Sequence, residues 1–106
     1  MTIKQSSELD NLRDLLEFED DKPFKIAESI IDKLGDIDIK ISRTGDNEIL
    51  IFREFNKCFY NILVDDDSDI SYLFIGDNRS ESYTHIWDDS SDKSIDEVIN
   101  EFNKNR

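Results

Sequence analysis

The residues with chemical potential are few, and their spacing is telling. Asp65, Asp66, Asp67 and Asp69 crowd one short segment. Positions 65, 67 and 69 fall where the first three calcium ligands of an EF-hand loop would fall. That loop also needs glycine at its sixth position and glutamate at its twelfth, and the chain has Ile70 and Gly76 there. The cluster therefore reads as an exposed acidic turn. His85 is the single histidine and Cys58 the single cysteine. A zinc site takes three or four ligands, so this pair cannot supply its nitrogen and sulfur set. A Ser–His–Asp triad would have to use His85. Ser80, Ser82, Ser90 and Ser91 lie near it, but none sits in the glycine-flanked elbow that exposes a nucleophilic serine. Cys58 lies in an apolar run, with no motif to mark it as a nucleophile. Gly35, Gly45 and Gly76 stand apart, so no phosphate-cradling loop is formed. Carboxylate pairs are unavoidable among 26 acids and carry no signal. No catalytic residue, metal or cofactor is assigned, and the chain is not read as an enzyme.

What remains is charge. The 26 acids face 13 bases, a net charge of −13 over 106 residues. Lys and Arg are scattered singly, so the chain lacks the basic footprint that nucleic-acid binding requires, and its charge repels phosphate. Tyr60, Tyr72, Phe74, Tyr83 and Trp87 lack basic interleaving and read as core or protein contact rather than as a stacking platform for bases. No stretch approaches the roughly 18 apolar residues of a membrane span, and the first ten residues lack a signal-peptide core. Cytoplasmic residence is the expectation.

The elements that position these residues follow from periodicity. The chain is 37% hydrophobic, enough for one core, and its length suits a single domain over residues 1–106. Residues 1–7 are polar and expected to fray. Ser7 then caps a helix with Leu9, Leu12 and Leu16 at helical spacing. Pro23 opens a second helix to Leu34, with Phe24, Ala27, Ile30, Ile31 and Leu34 on one face and Gly35 as its stop. Ile37, Ile39 and Ile41 alternate with polar residues as a half-buried strand. Residues 48–55, 58–64, 70–76 and 81–87 follow as strands, joined by short turns. Short strands linked this way imply an antiparallel meander. Ser94 and Glu97 fit a capping box, and Ile95, Val98, Ile99 and Phe102 continue a final helix to about Asn103. The expected architecture is α+β: a four- to five-strand antiparallel meander with N-terminal helices and a C-terminal helix packed on one face.

From Lys22 onward, the pieces KIAESIIDKLG, TGDNEILIFREF and NILVDDDSDISYLF, with the capped final helix, resemble a loose group of short, acidic, functionally unassigned bacterial α+β proteins. The resemblance supports the fold and carries no activity. Trp would be expected in the second strand, where this chain has Phe52 and Phe55.

Three acidic patches stand out, at 17–21, 65–69 and 88–92. A stoichiometric inhibitor of the antitoxin or immunity type would cover a basic protein surface with a local acidic patch and aromatic anchors. A DNA-mimicking anti-defence protein would instead spread carboxylates along an elongated face. An accessory subunit would show a large exposed apolar face, and a ligand-binding module a pocket with converging polar groups. The inhibitor reading assigns partner binding to Asp65, Asp66, Asp67, Asp69, Asp88, Asp89 and Asp92, with Trp87 or Tyr83 as anchor. In a meander, alternate turns share an end, so the 65–69 turn and the 88–92 segment are expected to meet.

Overall fold

The computed structural model describes residues 1–35, 37–77, 83–87 and 91–104. Two helices, α1 (Ile3–Leu15) and α2 (Lys22–Leu34), precede the strands β1 (Lys40–Arg43), β2 (Ile49–Phe55), β3 (Cys58–Val64), β4 (Ile70–Ile75) and β5 (Tyr83–Trp87). Helix α3 (Asp92–Lys104) follows. The five strands form one antiparallel sheet in sequence order. The fold is the expected α+β meander, with β1 and β5 at its edges.

Period-2 patterning sets the register. Ile51, Ile62 and Tyr72 lie side by side across β2, β3 and β4. Together with Ile49, Val64 and Ile70 they are completely buried. The helices cover this face: α1 over β1, α2 across β2 and β3, and α3 across β3 and β4. Their contributions to the common core include Leu9, Leu12, Phe24, Ile30, Ile31, Val98 and Phe102. Of the side chains expected from periodicity to be buried, Ile99 is half-buried and packs at the margin of the core.

Among the described residues, three boundaries differ from expectation by more than one residue, and residues 81 and 82 of the expected fifth strand lie outside the described residues. Helix α1 starts at Ile3 rather than near Ser7, because Thr2 and Gln5 form a capping box. The Thr2 hydroxyl accepts from the Gln5 amide at 3.1 Å, and the Gln5 side chain accepts from the Thr2 amide at 2.9 Å. Residues 3–7 are therefore helical, not frayed. Helix α3 starts at Asp92, ahead of the Ser94 cap read from sequence. Ser91 caps it instead: its Oγ accepts from the Ser94 amide at 3.2 Å and its carbonyl from the Ile95 amide at 3.0 Å. Glu97, freed from that role, accepts a bond from Trp87. Strand β1 is shorter than the isoleucine alternation suggests, although Ile39 ahead of it is buried.

Arg13 ties the first two helices together. Its guanidinium pairs with Asp21, with Glu28 at 3.0 Å and with Asp10 at 3.4 Å, and it lies 4.6 Å from the centre of the Phe24 ring. One cation among three carboxylates is a sound use of a scarce base in an acidic chain. Among the described residues, no helix is long and apolar enough to cross a membrane.

Candidate functional site

The strand register decides which acidic segments meet. Ile49 pairs with Val64, Val64 with Ile70, and Ile70 with Trp87. With Arg43, which pairs with Ile49 from β1, these residues form a last row of five at one end of the sheet, and Arg43 is a cation at that end. The 44–48 turn, the 65–69 turn and the exit from β5 therefore all lie at that end. The expected meeting of the 65–69 turn with the end of strand five follows directly from this row.

Two further acidic segments join them. Asn47, with a left-handed φ of 62°, accepts from the Glu17 amide at 2.9 Å and donates to the Glu17 carbonyl at 3.2 Å. This holds the α1–α2 loop against the 44–48 turn. Helix α3 runs from this end, where Glu97 meets Trp87, toward the far end, where the Phe102 ring lies 6.0 Å from Tyr60. Asp92, in the first turn of α3, thus starts at the acidic end. Glu17, Asp46 and Glu48 are acids at this end that sequence reading did not assign. The signal was available, because the 44–48 turn and the 65–69 turn are alternate turns of one meander.

The aspartates of the 65–69 turn do different work. The Asp65 carboxylate accepts from the backbone amides of Asp67 and Asp69, both at 2.9 Å. Its own amide and carbonyl also bond across the turn, to the Asp69 carbonyl at 3.1 Å and the Ser68 amide at 3.0 Å. Ser68, at φ 66°, is buried beneath. Asp65 is therefore the staple of the hairpin. Asp66 and Asp67 are exposed and face solvent. Asp88 and Asp89 lie outside the described residues. No group of three or more His, Cys, Asp or Glu side chains among the described residues is arranged to hold a metal ion.

Of the two expected anchors, Trp87 stands in the last row at the acidic end but is buried, and Tyr83 lies at the other end of β5. Trp87 is only 7% exposed. Its indole N–H donates to Glu97 at 2.6 Å, and the His85 ring stacks on it at 4.1 Å between centroids. Trp87 is thus a core residue that ties β5 to α3, and the anchor role expected of it fails. Tyr83 pairs with Phe74 at the opposite end of β5, so its backbone lies about 13 Å along the strand from Trp87.

The second surface feature is the face of the sheet that no helix covers. Its first row, next to the acidic end, is Ser42, Leu50, Leu63, Ser71 and Ile86. The second is Lys40, Phe52, Asn61, Leu73 and Thr84. The third is Glu54, Phe59 and Ile75. Lys40 and Glu54 are the charged side chains of these rows, and they cancel. A shallow cavity of about 360 Å³ runs over β3, lined by Thr44, Leu50, Phe59, Asn61, Leu63, Leu73 and Ile75. Asn61 donates to the Leu73 carbonyl at 3.1 Å, which fixes the polar spot on its floor. This surface was not assigned from sequence. Its signal lies in ILIF, ILV and YLFI, which are continuous apolar runs where a strand solvated on one side would alternate.

On the covered face, burial pushes the Tyr60 phenol above its ordinary value. Cys58 adds to the rise and Arg53 opposes it. Comparison with protein-family models, with curated proteins and with solved structures returns no match. The functional reading therefore rests on this chain's own geometry.

Proposed function

We propose that the protein is a protein-binding module that engages a basic partner through its acidic end, in the manner of a stoichiometric inhibitor. The carrying observation is the convergence of the 44–48 turn, the 65–69 turn and the start of α3 at one end of the sheet, tied to the loop at Glu17. Charge gathered in this way raises the encounter rate with an oppositely charged surface and disfavours other partners. A DNA-like array would call for an elongated face. Extents of 37 × 29 × 26 Å, with the 44–48 and 65–69 turns at one end of the sheet, favour a local patch instead.

Within the patch, Asp66 and Asp67 are the acids to remove, because they are exposed while Asp65 holds the turn. The test is association kinetics with an oligolysine probe and with a panel of basic proteins, at low and high salt. The double variant Asp66→Asn, Asp67→Asn is expected to slow association at low salt, and the gap should close as the Debye length shrinks from about 10 Å to about 3 Å between 0.1 M and 1 M. Association that ignores both salt and the double variant would reduce the acidic end to solvated surface.

A further inference from the structure

All three helices pack on one side of the sheet, and nothing in this chain's described residues covers the other. We infer that the uncovered face is the docking surface for an amphipathic helix of a basic partner protein. The helix would lay its apolar stripe along β3 between Leu50 and Leu63 at one end and Phe59 and Ile75 at the other. Its Lys and Arg residues would reach the acidic end. The inference rests on the reading above only for the partner's charge.

Three observations choose this occupant. The first is shape. The cavity over β3 starts at Thr44 and ends at Phe59 and Ile75. Six residues of strand at about 3.3 Å each give about 20 Å, the length of three to four helical turns. The second is charge. The rows of the face are neutral, yet the cavity opens at Thr44 into the acidic turn. The Thr44 hydroxyl donates to Glu48 at 2.8 Å and accepts from the Asp46 amide at 3.2 Å. An apolar floor with an acidic end matches a helix that has an apolar stripe and a cationic end. The third is area, and it weighs against a second copy of this chain. Five strands at about 4.8 Å and a length of at most about 20 Å give a projected footprint of no more than about 480 Å², a small platform for an interface that buries roughly 800 Å² of accessible surface per partner. Self-association would also bring two chains of −13 together.

The experiment uses the full chain, labelled with ¹⁵N, and three probes of equal length. These are an amphipathic Leu/Lys helical peptide, its scrambled isomer and oligolysine. The amphipathic peptide is expected to bind about tenfold more tightly than its isomer. Its amide shift changes should centre on Leu63, Leu73 and Ile75. Leu63→Gln should abolish that preference, whereas Asp66→Asn, Asp67→Asn should weaken all three probes alike. If Leu63→Gln does not fold, Leu73→Thr and Ile86→Gln replace it, because both positions lie on the same face and Ile86 is already 61% exposed. Equal binding of the two isomers, with shifts confined to the acidic end, overturns this inference and leaves the basic-partner reading standing. No binding of any cationic probe at low salt overturns both. A dimer in sedimentation that Leu63→Gln dissociates also overturns it, because a second copy would then cover the face.

Discussion

The two faces of one sheet have received opposite treatment from the same kind of sequence. Ile62 and Leu63 are neighbours on β3, and both are large aliphatic residues. Ile62 is completely buried under the helices, flanked by Ile51 and Tyr72. Leu63 points the other way, flanked by Leu50 and Ser71, and stays half-exposed beside the open cavity. The difference teaches that hydrophobicity alone does not mark the core of this protein. What marks it is which face three amphipathic helices can reach, and the chain spends them all on one side. The uncovered face retains an apolar character with no helix over it, and that is the reason to look there for a partner.

This contrast can be broken most directly by paired truncation. Ile62→Ala is expected to cost about 2–5 kcal/mol, because it deletes buried methylene groups and leaves a cavity. Leu63→Ala is expected to cost below about 1 kcal/mol, since its side chain is already partly in water. Denaturant unfolding of both variants reads the difference. A Leu63→Ala loss equal to that of Ile62→Ala would mean that the second face is covered in solution.

A second prediction concerns the edge where the two faces meet. The indole of Trp87 donates to the Glu97 carboxylate at 2.6 Å and joins β5 to α3. A short bond to an ionised acceptor contributes more than a neutral one. Trp87→Phe keeps the ring on the core side but removes the donor, and should cost about 1–2 kcal/mol. Glu97→Gln keeps an acceptor without the charge and should cost less. If the two changes are additive in a double-mutant cycle, the bond contributes little and packing alone holds β5.

How much of this could be read from the sequence depends on which physical signal was local. The period of Ile30, Ile31 and Leu34 against that of Ile37, Ile39 and Ile41 separates helix from strand without tertiary information. The meander followed from turn lengths alone. Through it, the gathering of the 65–69 turn at the end of β5 was also legible. The start of α1 was written in Thr2 and Gln5, a capping pair that the polar first residues concealed. The fate of Trp87 was not local. On an edge strand, an aromatic residue is core or anchor according to whether a helix passes over it, and here Glu97 of α3 does so. Glu97 also shows how one residue satisfies a local pattern and is used elsewhere, since its spacing from Ser94 suited a cap while Ser91 took that work. The open face was legible only in part. The packing of all the helices on one face was expected from the α+β order, but the apolar character of the other face, announced by the apolar runs in the strands, was not drawn from it.

The smallest expected effect tests the covered face through its chemistry. Tyr60 is buried between Phe74, at 5.3 Å, and Phe102, at 6.0 Å between ring centroids. Burial raises its ionisation above the ordinary value of 10.0, with Cys58 adding to the rise and Arg53 working against it. A phenol whose folded value exceeds its unfolded one holds its proton more firmly in the native state. The stability linked to that proton is fully present below the unfolded value, and it is lost as pH rises through the folded one. Unfolding free energy should therefore decline above about pH 10 more steeply in the parent chain than in Tyr60→Phe, which has no proton to lose there. Lysine titration contributes equally to both proteins and cancels in the comparison. Denaturant melts of the pair from neutral pH upward give the measurement, and their separation should widen only in the alkaline range. Parallel decline of the two proteins would mean that the Tyr60 hydroxyl reaches water in the native state, and the seal of α3 over this end of the sheet would then be looser than its packing implies.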